Sequence, residues 1–209
     1  MKTPGIIRQV EAYWEGLRAY GDLPTRDQID PRGLDSALDY AFLLDVSHTG
    51  ECVFKLGGQR LGDILGAPLE HVPFAALFSQ AVQPQVRSAL RSVYTDPAML
   101  RAQIISQEGV MRPLVEANLL LLPLKGPDAT VSQALGVLHF EDALGRSPRQ
   151  FNQFMPSLTR LVLSESLTPK YLDKIPMGMA EASSEFTYEK RRTEQSVRPN
   201  LKVIDGGLK

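Results

Sequence analysis

The position at which the apolar period changes constrains this chain more than any other feature. Before Ala41, large apolar residues recur at helical spacing, as Ile6, Val10, Trp14 and Leu17. From Ala41 the pattern switches. "AFLLDV" and "ECVFKLGG" are short β-prone runs joined by "SHTG", whose composition is that of a hairpin turn. Helical spacing then returns at Leu61, Ile64 and Leu65, and again in "PQVRSALRSVY" with Val86, Leu90 and Val93 on one side. Three longer β-prone runs follow: "MLRAQIISQEG", "RPLVEANLLLLPL" and "SQALGVLHFEDA", broken at Glu108-Gly109 and Gly126-Pro127. Two strands, a helical middle and three strands predict an α+β fold. The turns between the last three runs read as an antiparallel meander, and helices flank the core at its N- and C-terminal ends.

The boundaries follow from the same signals. Residues 1–40 form an N-terminal helical extension. Thr3-Pro4 starts the first helix, and Asp30 capping with Pro31 at the first helical position starts a short second one carrying Leu34 and Leu38. Residues 41–143 form the core. Residues 144–175 are expected to be a C-terminal helix after Ser147-Pro148, because Phe151, Met155, Leu158 and Val162 fall about one turn apart. Residues 176–209 are polar and mixed in charge, which predicts a flexible tail.

Composition removes several function classes. A net charge of -1 over 209 residues gives no global field for nucleic acid or an anionic membrane. No apolar run approaches the ~20 residues of a membrane span. The lone Cys52 excludes an internal disulfide and a cysteine-built zinc site, in keeping with a cytoplasmic protein.

The order and spacing of "YWEGLR", "IDPRGLDSAL", "FLLDV", "VFKLGGQRLGDILGAPL", "FAALF" and "LLLLPL" carry a resemblance that spans residues 10–142. The chain resembles a bacterial, mainly alphaproteobacterial, subfamily of short single-domain PAS proteins. That resemblance implies an α+β, PAS-like fold, in which a five-stranded antiparallel sheet holds the helical middle segment against one face, and a sensory or protein-interaction module of signal transduction without an attached catalytic domain. One departure stands out. Relatives usually place Ser or Thr after the small-residue–glycine pair, where this chain has Gln59.

The glycine-rich stretch Val53–Gly66 invites a phosphate-binding reading. Gly57 and Gly62 have the spacing of a P-loop, but Asp63 and Ile64 stand where lysine and Ser/Thr are required. An anionic Asp63 repels phosphate, so the stretch is expected to be a tight elbow between strand and helix. His71, the one histidine in the middle segment, is the only candidate for the haem ligation known in some PAS domains. Without a supporting motif, a surface or capping role is favoured. Cys52 lies on a strand rather than in the polar helical motif of flavin-binding light sensors, so that photochemistry is rejected.

Glu116 and Asn118 are two apart on one strand and share a face. If they point inward, they could orient a ligand together with Arg101 and Gln103 of the preceding strand, and Gln59 would sit at the pocket mouth. If they point outward, they form a solvated face. Ile6, Val10, Trp14 and Leu17 either mediate a homodimer or partner contact, or cover the sheet of their own chain.

The expectation is a non-enzymatic PAS-type module. It would act through an unidentified signalling partner, as a homodimer, with a small apolar or weakly polar ligand between sheet and middle helices. No cofactor and no metal is expected. A haem- or flavin-carrying sensor is the alternative, and a small-molecule-modifying enzyme using Glu116 the second.

Overall fold

Alternation in the β-prone runs becomes one antiparallel sheet. In this computed structural model, which describes residues 4–18, 21–141 and 143–163, the strands are β1 (Ala41–Val46), β2 (Cys52–Gly57), β3 (Ala98–Ser106), β4 (Glu116–Lys125), β5 (Val131–Phe140) and β6 (Phe151–Arg160). Their spatial order is β2-β1-β5-β4-β3-β6. The helices are α1 (Gly5–Leu17), α2 (Pro31–Leu34), α3 (Gln59–Leu65) and α4 (Gln83–Thr95), with 3-10 turns at Arg26–Gln28, Asp35–Tyr40 and Phe74–Leu77. None of these helices is long and apolar enough to cross a membrane.

The sheet is apolar on both faces. Ala117, Leu119 and Leu121 of β4 join the core under α3, α4 and the Phe74–Leu77 turn. Leu120, Leu122 and Leu124 of the same strand join a second core with Ile7, Val10 and Trp14 of α1. Alternate residues of a strand point to opposite faces, so a strand with both sets buried must be covered twice. The middle helices cover one face, and α1 covers part of the other. Burying Trp14 satisfies its polar edge as well, because the indole N–H donates to the Pro123 carbonyl at 3.2 Å. Pro123 has no N–H to offer, and it lies beyond the last β3–β4 pair, Leu100 with Leu121.

The extension is tied to the sheet at further points. Glu11 of α1 pairs with Arg101 of β3. Lys125 at the end of β4 donates to Asp22 at 2.6 Å, and its backbone N–H to the Pro24 carbonyl at 2.9 Å. The Lys125 ammonium holds the Asp22 carboxyl below its ordinary range.

The glycine-rich stretch is an elbow. Gly58 donates to the Ala41 carbonyl at 2.8 Å, and a side chain there would overlap the backbone of Leu38 and Asp39. Gly66 closes α3 in the left-handed conformation, at φ +66°.

One expectation needs correcting. Residues 144–175 are not a helix over their described part: residues 151–160 are strand β6, so the sheet has six strands rather than five. The cause is a register irregularity. Phe151 lies opposite Ser106 and Gln153 opposite Ile105, which leaves Asn152 as an extra residue. The bulge puts Phe151 and Phe154, three apart, into the same core. Phe151 and Phe154 thereby share a helix-like spacing on a strand, whereas Met155, Leu158 and Val162 of the expected stripe are exposed. The expected start at Thr3 and the expected tail, 176–209, lie outside the described residues.

Phe42 lies directly across from Gly136, and a Cβ at Gly136 would overlap the Phe42 ring. The variant Gly136→Ala is therefore overpacked, and its unfolding free energy in urea should be lower by about 1–3 kcal/mol. An unchanged midpoint would show that the ring has room to move.

Candidate functional site

The space between sheet and middle helices is occupied by the protein's own side chains. Phe42 packs on Phe54 and Phe74 with ring centroids 5.3 and 5.6 Å apart. Phe74 continues to Phe78 at 5.7 Å, and Phe78 to Phe154 at 5.5 Å. These rings are all buried. The ligand expected on this side of the sheet would have to displace them.

The other face carries an open cleft of about 490 Å³. One wall is the sheet, through Leu43 of β1, Leu56 of β2 and Leu135 of β5. The opposite wall is the extension, through Ile29, Leu34 and Leu38, with Arg26 and Asp27 also on the lining. Leu38 and Leu56 remain 41% and 46% exposed although both are leucines. Leu56 reaches this face through a second bulge. Leu44 opposes Phe54 while Leu43 opposes Leu56, so Lys55 is the extra residue. Simple alternation would place Leu56 on the same face as Phe54, and the bulge turns it to the cleft.

Local signals hold the extension wall in shape. Thr25 and Gln28 form a capping box, the Thr25 N–H donating to Gln28 Oε1 at 2.8 Å. The Asp30 side chain caps α2 by accepting from the Arg32 N–H at 2.9 Å. Tyr13 links this wall to α1. Its hydroxyl accepts from the Asp30 N–H at 2.7 Å, and its ring lies where a Gly33 side chain would be.

The sequence-predicted residues fall elsewhere. Gln59 is the exposed first residue of α3, in a shallow depression with Lys55, Asp63 and Glu70 rather than in the cleft. Arg101, Gln103, Glu116 and Asn118 do come together on one face, with Gln103 opposite Asn118. That face is the one away from the middle helices. Arg101 is engaged by Glu11, and Gln103 donates to Glu116 at 3.4 Å. The inward-facing reading of this group is thus replaced by a partly solvated outer face, and the cleft is lined from other strands.

Val10 and Trp14 are fully buried under their own sheet, with Ile6 and Leu17 half-buried beside them. A partner cannot touch the centre of that stripe while α1 stays docked. His71 sits in a turn at φ +62° with an exposed side chain beside Glu70, so it does not face the sheet. The cleft residues Ile29, Leu34, Leu38 and Leu56 were all visible as apolar positions. What the sequence lacked was any signal that the extension would stand opposite β1 and β2.

Burial shifts the equilibria of three titratable groups on the sheet and α4. Burial pushes the Cys52 thiol up to about 11, and burial likewise raises Tyr94, the neighbouring Cys52 adding to it. Burial also lowers His139, which rests against the Tyr40 ring at 5.0 Å; the Arg60 charge adds to this and Glu141 opposes it.

Two outcomes follow. Only roughly one Cys52 thiol in a thousand is ionised at pH 8, so a disulfide reagent should modify the denatured chain quickly and the folded chain very slowly. Equal rates would contradict this burial. His139 binds its proton less readily folded than unfolded. Stability should therefore fall as pH drops below the ordinary histidine value of 6.5. His139→Gln should flatten that limb in urea titrations; an unaltered limb would assign it to other groups.

Comparison with known proteins gives the following. The sequence profile described as PAS domain matches residues 1–139. No curated protein matches the chain. Among solved structures, VqmA bound to DPO is 12% identical with a TM-score of 0.38, over 50% of this chain and 52% of that one. This chain thus spans about half the length of that protein. The PAS domain of a protein from Colwellia psychrerythraea is 13% identical with a TM-score of 0.38, over 53% of this chain and 95% of that one. An RNA-binding light-oxygen-voltage receptor is 18% identical with a TM-score of 0.39, over 57% of this chain and 36% of that one.

Proposed function

Because the chain belongs to the PAS domain family, whose members are sensory modules of signalling, we propose that it is a non-enzymatic sensor and interaction module. It binds a small apolar or weakly polar ligand in the cleft between the extension and strands β1 and β2. One observation carries this reading. The cleft has a mainly apolar lining, a volume of about 490 Å³ and two half-exposed leucines, which suits a small molecule.

The mechanism is a population shift. One wall of the cleft is the extension, and Tyr13 joins that wall to α1. A ligand that prefers one spacing of the walls therefore biases how α1 lies on the sheet. A signalling partner reads that position. Among the described residues strand β6 is an edge of the sheet, with Met155 and Leu158 half-exposed, which supports a partner or homodimer contact there. The single buried thiol supports a cytoplasmic setting.

The cofactor-carrying alternative is less favoured. His71 points to solvent, and phenylalanine rings fill the space between sheet and middle helices. The enzymatic alternative is also less favoured, because Glu116 is exposed and its one hydrogen-bond partner among the described residues is Gln103.

Trp14, the only tryptophan, reports on α1 from inside its core. An apolar fluorescent probe should bind the native chain and shift Trp14 emission. Leu56→Arg should weaken probe binding by about tenfold or more, since a charge then enters the apolar lining. Equal binding by Leu56→Arg would move the ligand site out of this cleft, and a probe that leaves Trp14 emission unchanged would break the proposed link to α1.

A further inference from the structure

A second recess, of about 310 Å³, opens where β6 begins. Its polar lining is Ser79, Gln107, Arg112, Arg149, Gln150 and Asn152, and among the described residues no acidic side chain contributes to it. Arg149 is only 3% exposed. Its Nη1 donates to the Leu144 carbonyl at 2.9 Å, and its Nη2 to Ser106 Oγ and the Pro113 carbonyl. Every one of these acceptors is neutral. Hydrogen bonding is thus partly satisfied while the charge is not.

A buried charge normally sits beside an opposite one, because desolvation is costly without it. Among the described residues no carboxylate forms an ion pair with Arg149 or with Arg112; Arg8, Arg32, Arg60, Arg91 and Arg146 also have none, but of these arginines Arg149 alone is buried. Arg112 aggravates the imbalance. Burial and the Arg112 charge both push the Arg149 pKa below its ordinary value, so the two cations sense one another. A further polar atom at the recess is unspent: Asn152 Oδ1 is buried with no hydrogen-bond partner. Turning that amide over would sacrifice no bond at the oxygen and would present its NH₂ instead.

We propose that this recess binds a small oxyanion, a carboxylate or a phosphate, between the guanidinium groups of Arg112 and Arg149. Planar guanidinium forks match the paired oxygens of both anions. Gln107, Gln150 and the Ser79 hydroxyl supply neutral donors around them. Arg149 also ties three elements together, since its backbone N–H donates to Ile64 of α3 at 2.7 Å while its side chain holds Ser106 of β3 and Pro113 before β4. A bound anion would stiffen that junction. This site is separate from the apolar cleft, and its test does not depend on it.

The test uses the full chain at constant ionic strength, with inorganic phosphate and succinate as probes and chloride as the reference salt. Calorimetry and thermal unfolding are the readouts. One of the two anions should saturate with a dissociation constant of roughly 1 mM or tighter and raise the unfolding temperature. Whichever binds identifies the chemistry as phosphate or carboxylate. Arg149 substitutions risk unfolding the junction, so the diagnostic variant is Arg112→Gln, half-buried and without an ion pair. It should fold and bind at least about tenfold more weakly. Saturation by neither anion, equal stabilisation by chloride, or unweakened binding by Arg112→Gln overturns the proposal.

Discussion

The docking of α1 on strand β4 governs the rest of the architecture. Strand β4 carries leucines on both faces, and each set is withdrawn from water by a different layer. The middle helices suffice for one face only. Without Ile7, Val10 and Trp14 on the other, Leu120, Leu122 and Leu124 would stand exposed as a contiguous apolar patch, which soluble domains avoid. The described residues of the extension, 4–18 and 21–40, are therefore part of the folded unit rather than an appendage. Their indole N–H to Pro123, the Glu11–Arg101 pair and the Lys125–Asp22 pair are anchors that fix where that layer sits.

That arrangement also creates the cleft. α1 covers the outer face over β4 and β5, while residues 26–38 stand opposite β1 and β2 and leave a gap. The gap lies on the far side of the sheet from the filled phenylalanine core. A ligand bound there would touch the extension directly, so under the proposed function its binding energy would act on that layer. A ligand in the phenylalanine core would first have to repack rings such as Phe42, Phe54 and Phe74, all in mutual contact.

Much of the fold was legible because it is local. The hairpin of β1 and β2, the glycine elbow before α3, the Asp30–Pro31 start of α2 and the three long strands follow period, turn chemistry and capping. The illegible parts share one cause. Bulges at Lys55 and Asn152 each insert a residue without changing local composition. One sends Leu56 to the cleft face, and the other gives β6 a helix-like spacing. The inward reading of Arg101, Gln103, Glu116 and Asn118 failed differently. Alternation showed that they share a face but not which face.

The sequence alone determined which segments before Phe151 are helix or strand, the antiparallel pairing of the long strands, and the rejection of a phosphate loop through Asp63. Those depend on residues within a few positions of one another. Only the tertiary structure decided which face each strand turns to the middle helices, that α1 spends its stripe on its own sheet, and that Arg112 and Arg149 share a recess without a described counter-charge. Those outcomes depend on registers between segments distant along the chain. A one-residue shift in register reverses the facing of every side chain, and no local pattern records it.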